Sequence, residues 1–387
     1  MFKSFTISLF FLFNVAISFG QYQIGHTTIT FNDPSRTGGF GSGGGSGRQI
    51  QTEIYYPATV AGDNVSSASG TFPVIVFGHG FAMAWDAYQN IWEHYVSLGY
   101  ILAFPRTEGS LIPSPSHSDF GLDLALVGQR MQAENSLSAS VLFQHVAPNT
   151  AIMGHSMGGG ATVLAAQNNS NIKTIVGLAP AETNPSAIAA ASSVSVPAVI
   201  YSGTSDGVTP PADHHIPIYN GLNSSCKTLV NIIGGAHCYF ANTNFNCDFG
   251  EATSSTGISI SREQQQATTF ASLDFWLEYK LKGNPSSLES FLNILESAPS
   301  TELSYESTCQ GFLNFQESNE LMFNPYPNPV EDLLHLPNGM LGEVELMDAQ
   351  GRVLLKVKNV TSIDVSSLEN GMYYLRTSHS STVFLKR

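Results

Sequence analysis

The stretch Ala151-Ile-Met-Gly-His-Ser-Met-Gly-Gly-Gly160 decides the fold of this 387-residue chain. A short apolar strand runs into Gly154-His-Ser-Met-Gly158, and a helix rich in small residues follows. This is the strand, tight turn and helix that a G-x-S-x-G nucleophile elbow requires. The two glycines leave room for a strained turn that presents the hydroxyl of Ser156 above a helix N-terminus. The pattern predicts a nucleophilic serine, although a plain Gly/Ser-rich turn would give the same five residues.

Residues further along the chain supply the partners that a nucleophilic serine needs. A serine hydroxyl requires a base, and the base requires an orienting acid; with this elbow the order is Ser, acid, His. Asp206 follows the apolar run 197–202, and His237 follows the run 229–233. Alone, Asp206 would be interpreted as a turn carboxylate and His237 as a loop histidine. Their joint order, past the carboxyl ends of two predicted strands, predicts a triad of Ser156, Asp206 and His237.

Acyl transfer also requires two N–H donors at the position where the oxyanion forms. The residue after the nucleophile, Met157, supplies one of them in this kind of elbow. The loop His79-Gly-Phe81 follows the buried-type strand 72–77, and we assign the second donor to Phe81. The alternative for this loop is a simple glycine turn.

The other histidines considered and the four cysteines are assigned structural roles and not catalytic ones. His155 is expected to be a packing or wall residue. His214 and His215 beside Asp213 are interpreted as a solvated polar face, with a metal site as the alternative. The cysteine spacing matches no zinc motif, and no metal site is predicted. Four cysteines allow three disulfide pairings. We prefer Cys238 with Cys247, which closes a short loop beside His237, and therefore Cys226 with Cys309.

Composition and the N-terminus indicate an exported protein. Residues 1–20 combine Lys3 with an apolar run and a small-residue end, as in a signal peptide, and no later segment approaches the ~20 apolar residues of a membrane span. The formal net charge of −14 disfavours nucleic acid and anionic membranes as partners.

The order of predicted elements indicates an α/β fold. Apolar strands alternate with helices up to about residue 282, which predicts a mostly parallel sheet covered on both faces. The strands are predicted at 21–33, 49–56, 72–77, 100–104, 150–154, 172–179, 196–202 and 227–233, and the helices at 85–97, 119–132, 157–166, 210–222 and 262–282.

A second domain is predicted because the sequence pattern changes near residue 312, from alternating strands and helices to short strands only. We expect a catalytic domain over 21–312, a linker over 313–323 and a small all-β sandwich over 324–387 with short alternating strands. A polymer- or carbohydrate-binding β-module is the alternative for this tail.

The quoted motifs carry a family resemblance over about three-fifths of the chain. Residues 49–282 resemble the α/β-hydrolases of the cutinase, polyester (PET) hydrolase and dienelactone hydrolase-like group. The resembling segments are Val74-Ile-Val-Phe-Gly-His-Gly-Phe81, Gly154-His-Ser-Met-Gly-Gly-Gly160, Ser205-Asp-Gly-Val-Thr-Pro-Pro211 with Ile216-Pro-Ile-Tyr219, and Gly234-Gly-Ala-His237. The resemblance implies that the Phe81 ring and the Met157 side chain contact the substrate acyl group, with Val208 as a further apolar wall.

Two departures narrow the expected chemistry. Polyester hydrolases often place a Trp in the loop that here reads Leu178-Ala-Pro-Ala-Glu182, which carries no aromatic residue. Efficient hydrolysis of aromatic polyesters is therefore disfavoured, whereas esterase activity is not. The nucleophile is Ser, whereas typical dienelactone hydrolases use Cys, so lactone chemistry is also less favoured.

The tail resembles the type IX secretion sorting domain, on the segments Tyr326-Pro-Asn-Pro-Val330, Asp348-Ala-Gln-Gly-Arg352 and Leu368-Glu-Asn-Gly-Met-Tyr-Tyr374. The resemblance implies the type IX secretion machinery as a partner and a secreted or cell-surface location.

Together these features predict a secreted serine ester hydrolase that acts on esters or polyesters as a monomer without a cofactor. A lipase or general carboxylesterase of similar fold is the first alternative. The second is a non-catalytic surface-binding protein on a hydrolase scaffold.

Overall fold

The computed structural model describes residues 22–310, 325–336, 342–348, 352–377 and 381–387. The chain divides into two compact units, one up to Phe312 and the other from Leu313 onward. The predicted signal peptide at 1–20 and the predicted linker at 313–323 lie outside the described residues.

The first unit holds eleven described strands and eight described α-helices. The strands are β1 Gln23–Asp33, β2 Gly39–Phe40, β3 Arg48–Ala58, β4 Gly62–Asp63, β5 Phe72–Gly78, β6 Ile101–Pro105, β7 Val146–His155, β8 Thr174–Leu178, β9 Ala198–Gly203, β10 Lys227–Ile232 and β11 Leu303–Ser307. The helices are α1 Gln89–Ser97, α2 His117–Glu134, α3 Met157–Ala166, α4 Ala187–Ala191, α5 His215–Gly221, α6 Phe245–Ser254, α7 Arg262–Lys282 and α8 Ser286–Ser297. Short 3₁₀ turns at Trp85–Tyr88 and Cys238–Phe240 complete the helical segments of this part of the chain.

One sheet organises the first unit, in the order β11-β10-β9-β8-β7-β5-β6-β3-β1-β4. The six strands from β10 to β6 pair in parallel, whereas β3 and β1 continue one side antiparallel and β11 adds an antiparallel strand at the other end. The prediction of a mostly parallel sheet is therefore confirmed. Each parallel strand ends at the same edge, and the loops that leave this edge carry the site.

Apolar side chains cover the sheet on both faces. Along β5, Val74 and Val76 enter one hydrophobic cluster, while Ile75 and Phe77 enter the other. Successive residues of a strand point to opposite faces, so an unbroken apolar run is what a doubly covered strand requires.

Helix α7 shows how local sequence sets an element. Ser261 caps its first turn and Gln264 returns a hydrogen bond, forming a capping box. Gly283 ends the helix with a φ of 71°, in the left-handed region that glycine adopts without strain. The predicted helix over 262–282 has the observed bounds.

Six elements of the first unit were not predicted: α4, α6, α8, β2, β4 and β11. The predicted helix at 210–222 was too long, since α5 covers only His215–Gly221. A turn occupies the residues before it, and this turn becomes part of the site.

The described residues of the second unit form β-strands and turns. A four-stranded antiparallel sheet of order β14-β13-β16-β17 and a two-stranded pair β12-β15 surround a core that includes Val344, Leu375 and Phe384. The strands are β12 Leu333–His335, β13 Glu343–Met347, β14 Val353–Lys358, β15 Ser362–Asp364, β16 Gly371–Arg376 and β17 Ser381–Lys386.

Two disulfides join the cysteines of the first unit. Cys226 pairs with Cys309, and Cys238 pairs with Cys247. These are the pairings predicted from the sequence. None of the described helices is long and apolar enough to cross a membrane.

Candidate active site

Ser156 occupies a strained turn between β7 and α3. Its φ of 56° and ψ of −122° lie outside the regions that a residue with a side chain favours. A Cβ at Gly154 would come within 2.3 Å of the Gly158 carbonyl oxygen, and one at Gly158 within 2.1 Å of the Gly78 oxygen. Both positions therefore require glycine, and the backbone holds the serine between them.

Asp206 and His237 meet beyond β9 and β10. His237 Nδ1 lies 2.7 Å from Asp206 Oδ2, and both side chains are almost completely buried. The Asp206 carboxylate accepts through Oδ1 the backbone N–H groups of Val208 at 2.9 Å and Thr209 at 2.7 Å. This aspartate turn aims the second oxygen at the histidine.

The Thr209 hydroxyl lies at the centre of this group. Its Oγ1 is 3.0 Å from Asp206 Oδ2, 2.8 Å from His237 Nδ1 and 3.0 Å from His215 Nε2. The carboxylate only accepts, so the single hydroxyl proton of Thr209 goes to Asp206. His215 then donates from Nε2 to Thr209.

His215 is a buried member of the site, so its interpretation as part of a solvated face was wrong. Its side chain has no exposed surface, and its Nδ1 lies 2.8 Å from the Ser202 hydroxyl, the natural donor to that nitrogen. Burial lowers the pKa of His215 to about 3, so its ring is neutral at physiological pH. His214 is half-buried, and its Nδ1 accepts the N–H of Glu182 at 2.9 Å.

The same contacts set the charge of Asp206. Burial raises the pKa of its carboxyl, but the hydrogen bond and charge of His237, and the Thr209 N–H, outweigh that effect. The net result is a pKa below the ordinary value, and Asp206 is therefore an anion facing the His237 ring.

His155 ties three loops together, consistent with its expected packing role. Its Nε2 donates to the His237 carbonyl oxygen at 3.0 Å, which leaves Nδ1 to accept from the Tyr88 hydroxyl at 2.9 Å. The Tyr88 oxygen in turn accepts the Gly80 N–H at 2.8 Å. Burial lowers the pKa of His155 well below its usual range, so the ring acts as a neutral linker and not as a second base.

His155 therefore connects the serine elbow to His237. The rings of His155 and His237 are 4.7 Å apart between centroids, and Ser156 follows His155 directly. Among the hydrogen bonds of the described residues, none joins the Ser156 hydroxyl to the His237 ring. Catalytic hydrogen bonds of this kind are often long before substrate binds.

The two predicted oxyanion donors follow two neighbouring parallel strands, Met157 after β7 and Phe81 after β5. The Met157 N–H is at the first position of α3, where backbone donors have no partner within the helix. Phe81 follows Gly80, a position where a Cβ would come within 2.8 Å of the Met83 sulfur. The side chain of Phe81 is 48% exposed.

The predicted substrate-contacting side chains differ in exposure. Phe81 offers its ring to solvent, and Val208 is half-buried. Met157 is only 3% exposed and packs in a core cluster, so its side chain leaves little surface for a substrate. Its backbone N–H does not depend on that exposure.

Helix α6 crosses the site and was not predicted. The Asn246 amide donates to the carbonyl oxygen of Ala82 at 2.8 Å, next to the predicted oxyanion donor. At the far end, the Gly207 N–H donates to the Ser255 hydroxyl at 2.8 Å, one residue after the acid. The Cys238–Cys247 disulfide attaches the first turn of α6 to the residue after His237.

Nothing in the described part of the chain groups three or more His, Cys, Asp or Glu side chains in a way that could hold a metal ion. The chemistry available at this site is that of a serine hydroxyl, an imidazole and a buried carboxylate.

Residues 15–259 match the family model of PET hydrolase-like proteins. The chain belongs to the PET hydrolase-like family. Among its relatives, Cutinase est1 of Thermobifida alba is 27% identical over 221 residues, covering 56% of this chain and 65% of that protein. Cutinase 1 of Thermobifida cellulosilytica is 28% identical over 214 residues, covering 55% of this chain and 72% of that protein. A bis(hydroxyethyl) terephthalate hydrolase of Streptomyces coelicolor is 25% identical over 225 residues, covering 58% of this chain and 63% of that protein.

The tail of this PET hydrolase-like protein has its own match. Residues 324–387 match the secretion system C-terminal sorting domain, which confirms the predicted resemblance of the tail. The chain spans about two thirds of the length of the relatives named above.

Proposed function

We propose that this protein is a serine ester hydrolase with Ser156 as nucleophile, His237 as base and Asp206 as orienting acid. The observation that carries the proposal is the buried 2.7 Å contact between His237 and Asp206, in loops packed against a strained serine elbow. Membership of the PET hydrolase-like family supports the same chemistry.

The proposed reaction has two halves. Ser156 Oγ attacks the ester carbonyl carbon while its proton passes to His237, and the Phe81 and Met157 N–H groups receive the oxyanion. The tetrahedral intermediate collapses, the C–O bond to the alcohol breaks, and His237 returns the proton to the leaving oxygen. Water then attacks the acyl carbon of the acyl-enzyme and gives a proton to His237. The bond from that carbon to Ser156 Oγ breaks, His237 returns the proton to Oγ, and the free acid leaves.

Asp206 and its neighbours support the base in both halves. His237 Nδ1–H donates to the carboxylate, so Nε2 is free to accept the serine proton. The anionic Asp206 then stabilises the imidazolium that forms. His215 and Thr209 are positioning residues in this scheme, because they act on Asp206 and not on the substrate.

We propose polyesters and short-chain esters as the substrate class. Three relatives are named as cutinases or as a bis(hydroxyethyl) terephthalate hydrolase, which places their ester substrates in this class. The loop 178–182 carries no aromatic side chain to stack on an aromatic diacid, so we expect aliphatic polyesters to be better substrates than aromatic ones.

We also propose that the type IX secretion machinery exports the protein to the cell surface or the medium. The sorting-domain match at 324–387 supports this route. The predicted signal peptide would supply the earlier passage across the inner membrane.

Release of p-nitrophenol from the butyrate ester tests the proposal. We expect turnover by the full chain and a loss of at least ~10³-fold in Ser156→Ala, because triad members act as a unit. Absence of turnover by the folded, disulfide-bonded protein would contradict the proposal and favour a surface-binding role. A series of longer acyl chains separates the alternatives, since a maximum at long chains with interfacial activation would indicate a lipase.

A further inference from the structure

Helix α6 carries two aromatic rings in solvent. Phe245 is 82% exposed and Phe249 is 64% exposed, and their ring centroids lie 6.3 Å apart in a stacked arrangement. Single exposed apolar side chains are ordinary on protein surfaces, whereas adjacent large ones usually mark a binding surface. We refer to these two rings as the α6 aromatic pair.

The α6 aromatic pair has no part in holding its own helix. Glu251 is the only buried residue that α6, a fully described helix, contributes, so the helix does not depend on an apolar face for attachment. The helix is instead held by the Cys238–Cys247 disulfide and by hydrogen bonds at each end. The two phenylalanines are therefore free to serve a purpose other than packing.

The attachments of α6 place the pair at the rim of the proposed active site. Asn246, between the two phenylalanines, bonds the Ala82 carbonyl at 2.8 Å, and Ala82 follows the half-exposed Phe81. Residues three apart share a helix face, so Phe249 lies one turn along from this contact. The pair therefore lies on a helix whose first turn is bonded to the residue after Phe81.

The charges next to the pair are already engaged. Asp248 lies 2.6 Å from Arg262 Nη2, and Glu251 accepts the Cys238 N–H at 2.6 Å and also contacts the Ser255 hydroxyl. An uncharged, apolar ligand suits such a surface better than an anion or a cation does.

We propose that the α6 aromatic pair is an adsorption site that holds the apolar surface of a solid polyester beside Ser156. The inference rests on the proposed function for the identity of the reacting bond. A flat polymer surface fits two rings that stand out on a helix, because both can lie against it while an ester segment reaches the elbow. A small soluble ester has no need to extend as far as α6.

Adsorption to polycaprolactone film by catalytically silent protein tests the site. All variants carry Ser156→Ala in the full chain, so the film remains intact and binding is measured apart from hydrolysis. We expect Phe245→Ser/Phe249→Ser to lower the adsorption constant by about tenfold to hundredfold, since each ring buries roughly half its surface. Phe245→Leu/Phe249→Leu should recover part of the loss.

Matched controls remove general effects of lost apolar surface. Val60→Ser/Leu137→Ser removes two exposed apolar side chains elsewhere in the first unit and should leave adsorption unchanged. Equal melting temperatures and an intact Cys238–Cys247 bond show that α6 variants remain folded. Unchanged adsorption in the folded Phe245→Ser/Phe249→Ser variant would overturn the proposal.

The two proposals fail separately in this design. If the full chain does not hydrolyse the butyrate ester but adsorption still depends on the pair, only the proposed function fails. If butyrate is hydrolysed and adsorption does not depend on the pair, only this inference fails. A dimer that Phe245→Ser/Phe249→Ser dissociates, with no change in adsorption, would assign the rings to self-association and would also overturn it.

Discussion

Thr209 is the residue on which the geometry of the candidate triad depends most directly. Its hydroxyl lies within 3.0 Å of the acid, the base and a second buried histidine. A hydrogen bond to a charged group contributes about 1.5–3 kcal/mol. We therefore expect Thr209→Val to lower kcat for the butyrate ester by about tenfold or more, measured at saturating substrate.

Thr209→Ser is the matched control, because it restores the hydroxyl without the methyl group. Its kcat should lie near that of the unchanged protein. A folded Thr209→Val variant with full activity would show that the backbone N–H groups alone position Asp206.

His215 makes the free energy of unfolding depend on pH in the acidic range. The folded chain keeps this ring neutral down to a pKa of about 3, whereas in the unfolded chain it titrates near 6.5. Between those values the unfolded state binds more protons, so the free energy of unfolding falls as pH falls, by up to about 1.4 kcal/mol per pH unit. His79 and His155, whose pKa values burial also lowers, act in the same direction.

We expect His215→Gln to reduce this acid sensitivity. The loss of unfolding free energy between pH 7 and pH 5 should be smaller by about 2 kcal/mol, measured by denaturant titration at both pH values. His145→Gln is the control for removal of a histidine outside the site. An unchanged pH dependence in His215→Gln would mean that its ring is charged in the folded chain.

Among individual residues, those that follow the end of a strand could be placed from the sequence. Ser156, Asp206 and His237 each follow an apolar run, so their common edge could be predicted from topology. His215 could not be found in this way, because its role comes from burial against Ser202 and Thr209, contacts that only tertiary folding creates. The Asp-x-x-Thr spacing of Asp206 and Thr209 was the one local signal of that network.

The two disulfides stabilise elements of different kinds. Cys238–Cys247 spans 9 residues and fastens α6 across the site, whereas Cys226–Cys309 spans 83 and fastens β11 to β10. Loop-closure entropy gives roughly 2.7 kcal/mol for the short loop and roughly 4.5 kcal/mol for the long one.

We therefore expect opposite rankings for stability and activity when each disulfide is removed. Cys226→Ala/Cys309→Ala should lower the melting temperature more, and Cys238→Ala/Cys247→Ala should lower ester hydrolysis more. Hydrogen exchange should report faster opening of α6 only in the second variant. Equal exchange of α6 in both variants would contradict the assignment of the short disulfide to this helix.

At the scale of elements, periodicity and capping decided which parts were predictable. Helix α7 has apolar residues on one face, a capping box and a terminal glycine, and its bounds were predicted correctly. Helix α6 places phenylalanines in solvent and buries only a glutamate, so it shows no helical pattern of apolar residues. Strand β11 is short and mostly exposed, and its pairing with β10 is a long-range contact.

The two units of the chain lead to a prediction for the whole molecule. Each has its own hydrophobic core, and the tail matches a sorting domain. We expect a chain that ends at residue 312 to hydrolyse the butyrate ester as the full chain does but to remain inside the cell envelope. Activity in the medium of a host with a type IX system, compared with activity in its periplasm, measures the difference. Equal export of both chains would contradict a sorting role for the tail.

The overall architecture was the most predictable level. Alternation of strands and helices sets a parallel sheet, and apolar runs such as 72–77 set burial on both faces. The antiparallel ends of the sheet were not predictable, because they depend on which strands meet at the margins and not on any pattern within one strand.

Strand β11 determines at which edge of the sheet the first unit can be attached to a support without covering the candidate active site. It runs antiparallel to β10, and the Thr308 N–H donates to the Lys227 carbonyl at the start of that strand. The polypeptide therefore passes Cys309 at the amino edge of the sheet, while Ser156, Asp206 and His237 follow the carboxyl ends. A bead, an electrode or a fused partner joined beyond Cys309 would therefore attach to this unit at the amino edge of the sheet. The opposite edge, which carries the three residues, would stay accessible to substrate.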